Sequence, residues 1–272
     1  MTKEILYDHF AQYYPHAPAA LCVKECARLA ALRDYHLAGP ILDVGCGDGL
    51  FAKIAFGGEE VWGIDIDAKE GRWAQASRAY SQIVLADITK AKLPVSFFKS
   101  CVANCSLEHV PDIDAALVTI ERSLLPGAEA LLFVPNKEWA SKFMSVRAVR
   151  GVFGEKIAHM FQDGIDEFFA HRHLYDEQGW RDVVARSPLV LKEIRPVLST
   201  STTLAFEALL IPSLLGWMNK KLTSRWTNFP GARQATAPLA YAVVKAALAA
   251  AGDDEKTAEF LIVAERKKTS DG

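Results

Sequence analysis

The stretch Ile41–Ala52, ILDVGCGDGLFA, constrains this chain more than any other. Ile41, Leu42 and Val44 form an apolar run that carries one acid, Asp43. The run enters Gly45-Cys46-Gly47-Asp48-Gly49, and Leu50, Phe51, Ile54 and Ala55 then recur at helical spacing. This reads as strand, glycine turn, helix. Glycine lets a backbone take positive φ and come close to a ligand. The helix that follows offers its first N–H groups and a positive dipole end to an anionic group. Such a stretch builds a site for a nucleotide-type cofactor.

With 272 residues, half of them hydrophobic, the chain can bury a core without disulfides or metals. Its net charge of −2 gives no basic excess for nucleic acid and no acidic solvating tail. The start, MTKEILYDHF, lacks an apolar signal core, which predicts a cytoplasmic protein. There are five cysteines, and Cys22/Cys26 and Cys101/Cys105 stand four apart, unlike a zinc knuckle. The expectation is reduced thiols, mostly in the core, and no metal. Cys46 has two readings: a thiol activated by a helix N-terminus, or a small residue tolerated between two glycines.

Along the chain, apolar runs alternate with helical patterns. Strands are expected at Val61–Asp67, Ile83–Ile88, Ser100–Asn104, Ala130–Val134, Leu189–Leu198 and Thr257–Ala264. Helices are expected over 19–36, 68–80, 112–125 (closed by Pro126-Gly127) and 175–186. Such alternation implies βαβ units and a doubly wound α/β sheet. Ligands bind such sheets at the carboxyl ends of the strands. Those ends carry Gly45–Gly49, Asp65, Asp87 and Asn104–His109. The leader with Tyr7, Phe10, Tyr13 and Tyr14 either folds over a ligand or packs on the core.

A dinucleotide site wants G-x-G-x-x-G/A and an acid about 20 residues on. Asp65 supplies an acid in either case. The glycines, however, run Gly45-x-Gly47-x-Gly49, and Leu50 stands where a dinucleotide motif wants a third small residue. Asp43 near the turn suits an ammonium and would repel a pyrophosphate. Its other reading is a buried acid bonded to backbone amides of its own turn.

From here the chain resembles the class I S-adenosylmethionine-dependent methyltransferases. Asp43 to Gly49 is similar to the family's glycine-rich motif, Gly63-Ile64-Asp65-Ile66-Asp67 to the second motif, and Ala86-Asp87-Ile88 to the third. Ser106-Leu107-Glu108-His109-Val110-Pro111-Asp112 resembles the segment after the fourth strand, and Leu124-Leu125-Pro126-Gly127 the turn before the fifth. The resemblance covers roughly residues 37–136, with a weaker echo at Arg172-His173. It implies a Rossmann-like sheet, mostly parallel with an antiparallel last strand. It also implies S-adenosylmethionine (SAM) as cofactor and S-adenosylhomocysteine as product. In such enzymes the glycine motif lies beside the methionine end, the second acid binds the ribose and the third reaches the adenine amine. The implied cofactor-binding residues are Asp43, Gly45, Cys46, Gly47, Gly49, Asp65, Ile66, Asp87, Ile88 and Asn104.

Methyl transfer needs a nucleophile held about 3 Å from the methyl carbon, in line with the departing sulfur. A hydroxyl or acidic carbon also needs a base, most often His. His109 and His173 are the candidates; each has a structural hydrogen bond as its alternative role. His171 and Arg172 read as solvated or structural, and His9 and His16 as rim residues.

Two further stretches stand outside the sheet pattern. Residues 137–173 and about 201–256 read as helical insertions that form a cap on a single domain spanning 1–272. Trp139, Phe143, Met144, Phe153, Met160, Phe161, Phe168 and Phe169 in the first suit a small apolar or aromatic acceptor, or simply pack on one another. In the second, Leu204–Met218 is the most hydrophobic run. As a helix it reaches roughly 22 Å, short of the roughly 30 Å bilayer core, and Pro212 and Gly216 interrupt it. Trp217, Lys220, Lys221, Arg225 and Trp226 follow, so 204–226 reads as a peripheral membrane contact, a substrate lining, a dimer contact or a buried helix pair. The functional expectation is methyl transfer to an O, N or C atom of a small molecule. The alternatives are an NAD-dependent oxidoreductase and a non-catalytic SAM-binding or membrane-surface protein.

Overall fold

The computed structural model describes residues 5–223, 226–250 and 258–268. Helices α1 (Tyr7–Tyr13) and α2 (Ala19–Leu32) come first, then strand β1 (Ile41–Val44) and helix α3 (Leu50–Ala55). Next are β2 (Val61–Asp65), α4 (Ala68–Ser77), β3 (Gln82–Leu85), β4 (Phe98–Asn104), α5 (Ile113–Ser123) and β5 (Leu124–Pro135). After them come α6 (Met144–Phe153), α7 (Glu155–Phe168), α8 (Glu177–Ala185), β6 (Leu189–Pro196), α9 (Thr200–Thr223), α10 (Pro230–Ala250) and β7 (Glu259–Arg266). Short 3-10 turns lie at Leu107–His109 and Trp139–Lys142. Thr257 and Arg225, singled out in the sequence, fall outside the described residues.

The chain forms two compact units. One comprises Tyr35–Lys137, Asp166–Pro196 and Glu259–Gly272 and holds the sheet. Its strand order is β3-β2-β1-β4-β5-β7-β6. β1 pairs in parallel with β2 on one side and β4 on the other, and β7 runs antiparallel to both β5 and β6. All four residues of β1 are buried, as in a central strand covered on both faces. The strand order reverses beside β1, at the β1/β4 boundary, and such a point opens a crevice at the carboxyl ends.

Local chemistry explains the helices of this unit. Asp67 caps α4 by accepting the amides of Lys69 at 2.6 Å and Glu70 at 3.3 Å. Asp112 caps α5 through the Ala115 amide at 3.0 Å. On α5, Ile113, Ala116, Leu117 and Ile120 are buried, the spacing of one apolar face. One sequence signal reads differently in space. Pro126-Gly127 does not separate helix from strand, because β5 already begins at Leu124. Gly127 takes φ +80, and the β4–β5 register shifts between Phe98 and Ser100, so the pair marks an irregularity within the strand. The third strand also stops at Leu85, which puts Asp87 and Ile88 in the loop beyond it.

The other unit comprises Met1–Asp34, Glu138–Ile165 and Val197–Ala258, which gathers both insertions with the leader. Among its described residues, Phe10 and Tyr13 are buried and the leader packs on helices. Arg233 donates to the carbonyls of Tyr14 at 2.7 Å and Ala17 at 2.8 Å, and Tyr241 donates to that of Ile5 at 3.0 Å. Trp139 and Phe143 are buried, and Phe206 packs on both. By contrast, Met144, Val152, Phe153 and Met160 stay exposed, as do Ile211, Leu215 and Leu222 on α9. Helix α9 bends by 58° between Thr200–Ile211 and Ser213–Thr223. Among the described residues no single helix is long and apolar enough to cross a membrane.

Candidate active site

The glycine turn is held by three tight constraints. Gly45 takes φ +74, and a Cβ there would collide with Ser106. Gly49 takes φ +81, and a Cβ there would meet Ser77 and Tyr80. Gly47 faces open space, and its amide donates to Asp65 Oδ2 at 2.9 Å. Asp65 Oδ1 accepts the Asp67 amide at 2.8 Å. The acid at the end of β2 therefore ties the turn to the strand.

Asp43 is buried, and the Tyr80 hydroxyl donates to its Oδ2 at 2.7 Å. The same hydroxyl lies 3.3 Å from the Cys46 carbonyl oxygen. Asp43 is thus bonded by a side chain 37 positions away, beyond its own turn. Burial and the Asp43 charge push the Tyr80 hydroxyl far above its usual value. Cys46 follows the inert reading. Burial, then the charges of Asp43 and Asp65, raise its thiol well above the usual range. Its Sγ packs beside Gly63, where an added Cβ would meet it at 2.8 Å.

A cavity of about 470 Å³ opens at the strand ends. Its walls include Gly45, Asp65, Ile66, Asp87, Ile88 and His109, all singled out in the sequence. Asp87 takes both Thr89 bonds on Oδ1, from the amide at 2.9 Å and the hydroxyl at 2.8 Å. Those bonds hold its carboxyl below the usual carboxylate range. Ile66 is 75 % exposed although it lines the cavity, an apolar surface that a flat ring would cover. Asp43, Cys46, Gly47, Gly49, Asn104 and His173 do not line it.

Cys105, Ser106 and Arg172 also line the wall, although the sequence reading assigned none of them a cofactor-binding or catalytic role. Cys105 takes φ +49, a strained value for a residue with a side chain. Ser106 donates its hydroxyl to the Val44 carbonyl at 2.6 Å. Arg172 comes from far along the chain, and its amide donates to the Glu108 carbonyl at 2.8 Å. The weak Arg172-His173 echo was the available signal, and it did not show that the arginine reaches the cavity.

The histidines separate by geometry. His109 lines the cavity and places Nδ1 3.0 Å from the Ala170 carbonyl, which makes Nδ1 the protonated nitrogen. His173 has Nε2 2.8 Å from the Val110 carbonyl and Nδ1 3.2 Å from the Tyr175 hydroxyl. Both its nitrogens are committed to holding the loop. His171 stacks on His109 with ring centroids 5.5 Å apart. Side-chain ligand atoms of Glu108, His109 and His171 lie within 4.8 Å of one another, a cluster that sequence spacing did not suggest. Among the described residues, His9 lies in the helical unit, and burial lowers its ring pKa.

Comparisons with known proteins agree with this arrangement. The model of the methyltransferase domain family matches residues 42–132. An uncharacterized methyltransferase of Mycobacterium tuberculosis is 41% identical over 90 residues, 32% of this chain and 46% of that protein. A ubiquinone biosynthesis O-methyltransferase of Alkalilimnicola ehrlichii is 32% identical over 114 residues, 39% of this chain and 45% of that protein. The chain thus spans about half the length of the curated relatives it matches. Among solved structures, geranyl diphosphate C-methyltransferase from Streptomyces coelicolor, bound to magnesium, geranyl diphosphate and S-adenosylhomocysteine, is similar with TM-score 0.55 and 17% identity. That match covers 93% of this chain and 89% of the other. The cyclase SpnF is similar with TM-score 0.55 and 13% identity, over 91% of this chain and 82% of its own. At such identities these structures show the fold alone. The glycine turn, the acids at successive strand ends and the family match converge: residues 42–132 carry a methyltransferase domain, on a sheet of the same fold as those solved structures.

Proposed function

We propose that this protein transfers a methyl group from SAM to an O, N or C atom of a small, apolar or aromatic acceptor. The observation that carries the reading is the single cavity wall that holds Asp65, Asp87, Ile66, Ile88 and His109. Its size falls within the roughly 300–1,000 Å³ of small-molecule sites. Asp65 stands where it can accept ribose hydroxyls, and Asp87 where it can accept the adenine amine. Ile66 and Ile88 give the ring an apolar seat. SAM, when bound, supplies a methyl carbon activated by its sulfonium. Asp43, Cys46, Gly47 and Gly49 act through the shape of the turn, and Asp43 positions it by way of Tyr80.

His109 is the imidazole at the acceptor end, and acceptor activation runs through its Nε2. His173 keeps a positioning role. On α9 the exposed Ile211, Leu215 and Leu222, with Lys220 and Lys221 in the last turn, suit contact with an anionic lipid surface. The cyclase neighbour shows that this fold hosts reactions other than methyl transfer, so the reaction itself needs a test. Calorimetry with SAM and with NAD, followed by a screen of phenolic and isoprenoid acceptors with labelled SAM, provides it. Binding of NAD with none of SAM would overturn the assignment.

A further inference from the structure

The structure gathers a second imidazole and one carboxylate around His109, a residue of the cavity wall, in a way that methyl transfer alone does not require. We propose that Glu108, His109 and His171 form a binding site for a divalent first-row transition ion of the zinc or cobalt class. The site itself is independent of the methyl-transfer reading. Its use, activation of a hydroxyl acceptor, rests on that reading.

Side-chain ligand atoms of the three residues lie within 4.8 Å of one another. His109 Nε2 stands 3.8 Å from Glu108 Oε1. Bonds of about 2.0–2.2 Å to a tetrahedral zinc set ligand atoms a little over 3 Å apart, so the cluster needs to close by about 1 Å. The His109 side chain is 42% exposed and can swing, whereas those of Glu108 and His171 are 2% and 9% exposed and form the fixed part.

The outer partners fit the same assignment. A metal-bound histidine usually donates its other ring N–H to a carboxylate or a backbone carbonyl, which fixes the tautomer. His109 Nδ1 lies 3.0 Å from the Ala170 carbonyl, and His171 Nδ1 lies 3.3 Å from Asp166 Oδ1. In both rings Nε2 is then the ligating nitrogen. The backbone of the cluster is also fixed, because the Glu108 carbonyl accepts the amides of Arg172 at 2.8 Å and His173 at 3.1 Å. Two imidazoles with one carboxylate suit zinc, cobalt, iron or manganese and keep coordination positions for a substrate. His109 belongs to both the cluster and the cavity, so such an ion would stand at the acceptor end. There it would lower the pKa of an acceptor hydroxyl. The proton would leave to water, and the oxygen lone pair would form the O–CH3 bond as the C–S bond of SAM breaks.

The test uses the full chain, free of any purification tag, stripped with a chelator and titrated with Co²⁺ and Zn²⁺. We expect about one ion per chain and a visible Co²⁺ spectrum of nitrogen and oxygen ligation. His109→Ala and His171→Ala should each weaken Co²⁺ binding by at least tenfold, and Asp166→Asn by roughly tenfold. His109→Ala alters an exposed side chain, so it remains informative if changes at buried Glu108 unfold the protein. Wild-type binding no tighter than that of a His109→Ala/His171→Ala double variant would overturn the proposal. SAM calorimetry on the same samples separates the two readings. SAM binding without metal binding sinks only the ion site, and metal binding without SAM binding sinks only the cofactor assignment.

Discussion

The Asp65 carboxylate accepts the Gly47 amide at 2.9 Å, so the acid expected to hold the ribose also holds the glycine turn. Asp65→Ala therefore removes a ligand contact and loosens the turn together. Hydrogen bonds to a charged group are worth about 1.5–3 kcal/mol each, so SAM affinity should fall at least tenfold. Calorimetry measures it. Unchanged affinity in Asp65→Ala would remove Asp65 from the cofactor site.

His109→Gln keeps some hydrogen bonding but removes the imidazole Nε2, whether that atom takes the acceptor's proton or holds an ion that acidifies it. With a hydroxyl or acidic-carbon acceptor, the maximal rate should drop roughly 100-fold or more while SAM affinity is kept. A variant with near wild-type turnover would retire His109 from acceptor activation.

Stability should fall on the alkaline side. Cys46, Cys101 and Tyr80 have their values raised in the folded protein above the ordinary 9.0 for the thiols and 10.0 for the phenol. From about pH 9 the unfolded chain releases these protons and the folded chain keeps them, so rising pH favours unfolding. Each group contributes up to about 1.4 kcal/mol per pH unit above its unfolded value. Urea midpoints between pH 7 and pH 11 read this out. Tyr80→Phe should cost about 1–3 kcal/mol at pH 7 and flatten the slope above about pH 10. An equally steep slope in Tyr80→Phe would show that the hydroxyl already titrates in the folded state.

The exposed apolar side chains of α9 lead to a lipid test. Flotation with anionic liposomes should carry the protein upward, and Leu215→Glu with Leu222→Glu should reduce the floated fraction several-fold. No flotation of the wild type on anionic vesicles would reject membrane contact.

The sequence by itself determined the turn and the strand ends. Gly45, Gly47 and Gly49 announced positive φ, which all three adopt. The apolar runs announced buried central strands, and Asp65 and Asp87 reached the cavity that their strand-end positions implied. These are local signals, because φ preference, capping and periodicity act over a few neighbouring residues. The tertiary structure alone decided the rest. Tyr80 meets Asp43 across 37 positions, Ser106 meets Val44 across 62, and His109 meets Ala170 across 61. The same packing brought Arg172 to the cavity, took His173 out of it and set His171 against His109. Side chains so far apart in sequence meet only once strand order and register are fixed, and no spacing within either segment encodes that meeting.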